Sequence, residues 1–84
     1  MSALFNFGKN MNKQRRSRIQ KIKQSLIVIK NELNIVLDEE QISFDNMPEN
    51  LQCSIKGNES EDAIDILEEC SEGLEKIINI LNEI

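Results

Sequence analysis

Apolar side chains recur along this chain at alternating steps of three and four, in two long runs separated by one proline-bearing stretch. That rhythm leaves little freedom in what the chain can fold into. The first run is Ile19, Ile22, Leu26, Ile29, Leu33, Val36 and, past a polar Glu40, Phe44; the second is Ala63, Leu67, Cys70, Leu74, Ile77, Leu81 and Ile84. Because an α-helix turns once every 3.6 residues, such an alternation lines its members along one face, the a/d seam of a coiled coil. Ile27, Ile35, Leu37 and Ile42 broaden the first stripe, and Ile64, Ile66, Ile78 and Ile80 the second. A stripe wider than one seam packs against more than one neighbour. The expectation is an all-α fold: an antiparallel two-helix hairpin that dimerises into a four-helix bundle.

With 84 residues there is room for one domain, and at this size a single core is marginal unless oligomerisation supports it. Thirteen isoleucines, three phenylalanines and no Trp or Tyr suit aliphatic helix seams better than a globular pocket. The expected boundaries are an arm over 1–10, a helix over about 11–44, a corner over about 45–57 and a second helix over about 58–84. At 1.5 Å per residue the first helix runs roughly 50 Å and the second roughly 39 Å, leaving a turn or two of the first projecting.

The corner is DNMPENLQCSIKGNES, Asp45 to Ser60. Asp45 or Asn46 can cap a short turn in which Pro48 takes the first helical position, where its missing N–H costs nothing. PENLQ then reads as one turn, with Leu51 plugging the end of the bundle and Gln52 among the polar tip residues. Asn58 can cap the second helix in a capping box with Glu61, and Glu59, Glu61 and Asp62 suit the positive end of its dipole. Gly73 sits inside that helix at about 1 kcal/mol relative to alanine.

The formal net charge of −5 conceals a sharp division. Residues 1–30 contain eight Lys or Arg and no acid, whereas 31–84 contain two Lys and all fifteen acids. Three readings fit. An antiparallel hairpin would partly neutralise opposite charges within one molecule, at roughly 0–1 kcal/mol per exposed pair. The basic segment 13–23, with Lys13, Arg15, Arg16, Arg18 and Lys21, could instead hold nucleic-acid phosphates. Or the acidic half, with Glu39, Glu40, Glu61, Asp62, Asp65, Glu68, Glu69 and Glu72, could mimic nucleic acid or bind a basic protein surface.

Other chemistry is poorly supported. Two cysteines without a histidine fall short of the about four ligands a zinc site takes, so no metal or cofactor is expected. Cys70 reads as a small core residue, and no disulfide is expected in a reducing compartment. There is no glycine-rich phosphate loop and no Ser-His or Cys-His pair, and an enzyme is not expected. The longest apolar run, Leu26 to Ile29, is far short of the about 20 residues that span a bilayer, and the expected location is the cytoplasm of the bacterial host. ALFNF, residues 3–7, is an apolar tag ahead of the basic stretch.

At DEEQISFDNMPENLQCS, followed by EDAIDILEECSEGLEKIINIL, the chain resembles a group of small helical-hairpin proteins from phages and mobile elements of Gram-positive bacteria. The shared pattern is EEQ-x-x-FDN-x-PE-x-LQ-x-S and then acid-rich A-x-D-x-LEE steps, carried here by Glu39, Glu40, Gln41, Phe44, Asp45, Asn46, Pro48, Glu49, Leu51, Gln52 and Ser54. The chain departs from it in IKGNES and in Cys70, where the pattern has alanine. The resemblance implies a helical hairpin from a phage or prophage, with no activity to carry over. The functional expectation is an accessory protein that works by stoichiometric binding to a host or phage protein, inhibiting a host defence or nucleic-acid-processing enzyme through its acidic surface. The alternative is an assembly or packaging factor that uses the basic first helix on nucleic acid.

Overall fold

A computed structural model describes residues 11–84; the expected arm, 1–10 with ALFNF, lies outside the described residues. The chain folds into three helices, α1 (Lys13–Asp45), α2 (Glu49–Gln52) and α3 (Ile55–Leu81). Principal extents of 66 × 21 × 13 Å make the hairpin a rod. The long helices run antiparallel, since Lys23 Nζ meets Asn82, Lys30 meets Glu75 and Ser71 meets Asn34 as the two helices step in opposite directions.

Helix α1 begins at a cap the periodicity did not single out: the Asn12 side chain accepts the Arg15 amide at 2.8 Å. It ends at Asn46, whose N–H reaches the Ile42 carbonyl at 3.0 Å. Pro48 does not enter the next turn as its first helical residue. It stands one place earlier, with an extended ψ of 151°, and its carbonyl accepts from the amides of Leu51 and Gln52. The single turn α2 follows.

The start of the second long helix is corrected from Asn58 to Ile55. Ser54 is the cap: its backbone is extended and its hydroxyl accepts the Gly57 amide at 3.3 Å. Asn58 and Glu61 are therefore interior helix residues and form no capping box, and the first turn of α3 carries no acid. The reason is the closeness of the corner. Gly57 is buried against α2, and a Cβ built on it would stand 2.2 Å from the Gln52 carbonyl oxygen, so only glycine lets α3 start this early.

Leu51, expected as the plug of the bundle end, is 43 % exposed in the single hairpin. The polar Gln52 takes the inward position instead, donating from Nε2 to the Phe44 carbonyl at 3.0 Å. A residue on a one-turn helix has no freedom to choose its face once both flanking helices are fixed.

The seam between α1 and α3 is turned from the expected one. On α3 it runs through Gly57, Ser60, Ile64, Leu67, Ser71, Leu74, Ile78 and Leu81, a 3-4 series one position away from the expected Ala63–Cys70–Ile77 line. On α1 it keeps Ile19, Leu26, Leu33 and Phe44, but takes Lys23, Lys30 and Leu37 in place of Ile22, Ile29 and Val36. Both stripes are broad enough to supply two seams, and the intramolecular one is the more polar. Its polar members pair off: Ser60 Oγ donates to Glu40 at 2.5 Å, Ser71 Oγ to Asn34 at 2.7 Å, and Lys30 forms an ion pair with Glu75. Among the described large apolar residues only Ile64 and Ile78 are buried, each still 7 % exposed. Cys70, expected in the core, is an exposed free thiol, as is Cys53.

Candidate functional site

Hydrophobic burial sets the side on which this rod can work. Ile22, Val28, Ile29, Ile35, Val36 and Ile42 on α1, with Ile66, Ile77 and Ile80 on α3, are each between 48 and 60 % exposed. Their placement follows from the contact lines. Viewed along α1 from its N-terminus with α3 to the right, successive residues turn clockwise in α1 and anticlockwise in the antiparallel α3. The Leu26–Lys30–Leu33 contact line then puts Ile22, Ile29 and Val36 uppermost. The Ile64–Leu67–Ser71 line puts Ile66, Cys70, Ile77 and Ile80 uppermost too. One broad side of the hairpin therefore carries two parallel apolar lines on neighbouring helices, which we call the open face. Val28, Ile35 and Ile42 lie lower, on the far edge of α1.

The opposite side is acidic. Glu61, Asp65, Glu68 and Glu72 point to the underside, Asp62 and Glu69 to the outer edge of α3, and all six are exposed. Of the other two expected members, Glu40 is turned inward to Ser60 and Glu39 lies on the far edge of α1. The eight acids therefore do not make one continuous face. A shallow groove between the helices gathers part of the underside: Phe44 and Ile64 contribute apolar surface, and Gln41, Glu61, Asp65 and Glu68 line it with polar groups.

Internal neutralisation of charge is slight. Lys30–Glu75 is the one ion pair among the described residues. The acids of α3 concentrate in its first two-thirds, which by the antiparallel pairing lies beside the acidic end of α1 rather than its basic end. Between Asp38 and Glu72 there are twelve acids and only Lys56 to oppose them. At the other end Lys13, Arg15, Arg16 and Arg18 project past the end of α3, since Lys23 already stands level with Asn82. The rod is thus electrically polar along its length, acidic at the corner and basic at the open end.

The expected site residues fall into place accordingly. Lys13, Arg15, Arg18 and Lys21 are exposed, while Arg16 is half-buried with its Nε donating to the Met11 carbonyl at 3.4 Å. Pro48, Leu51 and Gln52 form the corner, where Gln52 has a structural task and Leu51 faces solvent. What periodicity missed is the open face as a surface distinct from the seam. The flanking isoleucines were its signal, because they form a second 3-4 line from Ile66 through Cys70, Gly73, Ile77 and Ile80 to Ile84. Among the described residues no helix is long and apolar enough to cross a membrane. No protein-family model, curated protein or solved structure matches the chain.

Proposed function

We propose that this chain is a non-catalytic interaction protein, self-associating through its open face into a four-helix bundle and binding a basic protein surface through the acidic underside near the corner. The observation that carries the reading is the separation of the two surfaces. Apolar lines occupy one broad side and carboxylates the other, so a bundle formed on the first leaves the second in solvent. Six half-exposed isoleucine and valine side chains on the open face contribute burial of roughly 1 kcal/mol each per protomer when covered. The acidic groove supplies charge for attraction.

The phage or mobile-element setting, and the inhibition of a host defence or nucleic-acid-processing enzyme, rest on the sequence resemblance; a surface dense in carboxylates is suited to occupying a site built for phosphates. Affinity capture from bacterial host extract tests this with the wild-type chain beside a Glu61→Lys, Asp65→Lys, Glu68→Lys triple variant. The expected outcome is a basic protein retained in stoichiometric amount by the wild type alone and released by salt. Retention by both chains, or by neither, overturns the assignment to the acidic groove.

The projecting α1 end favours a second reading, in which Lys13, Arg15, Arg16 and Arg18 hold a nucleic-acid backbone. Its test is a salt-sensitive gel shift of DNA or RNA that Arg15→Glu, Arg16→Glu and Arg18→Glu together abolish. No shift at low salt removes the assembly-factor reading.

A further inference from the structure

The open face and the charge map together fix how a second copy would sit: we propose that two hairpins pack open face to open face with their corners at opposite ends, so that Arg15 and Arg18 of each lie along the corner-side acids of the other. This rests on the self-association proposed above and adds its orientation.

A twofold pair of hairpins stacked on these faces has two arrangements. With the symmetry axis along the rod, both corners fall at the same end and α1 of one copy covers α3 of the other. With the axis across the rod, one hairpin is reversed and each long helix covers its own counterpart, antiparallel. The apolar lines serve either arrangement. The charges do not. In the same-end pair, two projecting α1 termini carrying Lys13, Arg15, Arg16 and Arg18 stand together at one end, and two sets of corner acids at the other.

Reversal relieves both repulsions, and the α1 sequence is self-complementary under it. The upper line of α1 reads Arg15, Ile22, Ile29, Val36, Ser43 at heptad spacing. Pairing it antiparallel about Ile29 sets Ile22 against Val36 and Arg15 level with Ser43 of the second copy. The adjoining line reads Arg18, Ser25, Glu32, Glu39, and the same operation brings Arg18 to within one residue, about 1.5 Å of helix rise, of level with Glu39, and Ser25 likewise with Glu32. Asp45 and Glu49 stand just beyond. Flanking charges of this kind select partner and orientation in helix pairs. Ile22, Ile29, Val36, Ile66, Ile77 and Ile80 expose on the order of 500 Å² per protomer, so a pair covers roughly 1,000 Å² of apolar surface before its polar rim, enough for a specific interface.

The native Cys53 is an exposed corner thiol and reports the orientation directly. In full-length chain carrying Cys70→Ala, Cys53 is spin-labelled, the mass is measured by sedimentation, and the label separation by double electron–electron resonance. Opposite corners place the labels about 50–60 Å apart, from the helix rise. Same-end corners place them within about 25 Å, from interaxial spacings of 8–10 Å plus the label arms. A mass of two chains with the long separation is the expected result. Two chains with the short separation overturn the orientation while leaving self-association standing. A monomer at tens of micromolar overturns both and hands the open face to an unrelated helix. Arg15→Glu with Arg18→Glu, on the projecting end of α1, is expected to weaken dimerisation at least tenfold at low salt. An unchanged dissociation constant argues against the charge pairing.

Discussion

Gly57 and Gly73 occupy the same helix and receive the same substitution, alanine, with opposite expected results. At Gly57 the new Cβ would lie 2.2 Å from the Gln52 carbonyl oxygen and 2.5 Å from that of Leu51. Both obstructions are backbone, so no side-chain rotation relieves them. Reaching ordinary contact requires α2 and the start of α3 to separate by about an ångström, which strains the Gln52 bond to Phe44 and the cap at Ser54. Overpacking of this kind costs about 1–3 kcal/mol, and the helix propensity gained on losing glycine offsets up to about 1 kcal/mol of it. The net loss, about 1 kcal/mol at mid-range and about 2 kcal/mol at most, lowers the Tm of a domain this small by roughly 4–16 °C. At Gly73 nothing lies within 4 Å of the added Cβ, so the propensity term stands alone and stability rises by about 1 kcal/mol. Both variants belong in an Ile29→Glu background, which disrupts the open face and keeps the comparison within one hairpin. Thermal and urea unfolding followed by circular dichroism measure them. A Gly57→Ala chain as stable as its parent would refute the close approach of α2 and α3, and with it the early start of α3.

Four further predictions rest on particular residues. Ser54→Ala is expected to cost about 1 kcal/mol as a lost helix cap, whereas Asn58→Ala, inside α3, leaves stability unchanged or slightly raised; urea midpoints for the two reverse in order if Asn58 is the cap. Gln52→Ala removes the bond to the Phe44 carbonyl and is expected to cost about 1 kcal/mol, seen also as faster hydrogen exchange in α2. Leu51→Ala should cost less than a core truncation, because the side chain already faces solvent. Lys30 and Glu75 are partly exposed, and a double-mutant cycle to Met and Gln should give a coupling of about 0–1 kcal/mol that shrinks in 1 M salt; a coupling of several kcal/mol would mean the pair is far drier than its surroundings indicate.

Much of the fold was legible because helical periodicity is a local property. The two long helices, the single turn at PENLQ and the basic projection at Lys13–Arg18 all follow from spacing, length and residue type. The start of α3 was not legible: Asn58 and Ser54 are equally good caps as residues, and the choice depends on Gly57 meeting the Gln52 carbonyl, a contact between separate elements. The inward role of Gln52 and the outward one of Leu51 were hidden for the same reason. Charge was legible as a count in each half, but not as an arrangement. The acids of α3 crowd its first two-thirds, and antiparallel pairing sets them beside Asp38, Glu39 and Asp45 rather than beside the basic residues.

Sequence alone determined that this protein is helical, that its helices are amphipathic over a wide stripe, and that its charges divide between the chain's two parts. A pattern of threes and fours with flanking isoleucines contains two possible seams, and nothing local ranks them. Only the tertiary structure decided between them, burying the seam that pairs Lys30 with Glu75, Asn34 with Ser71 and Glu40 with Ser60. Ile22, Ile29 and Val36, with Ile66, Ile77 and Ile80, were left outside. The physical reason is that two helices touch along one line each, so a stripe broad enough for two contacts always leaves one open.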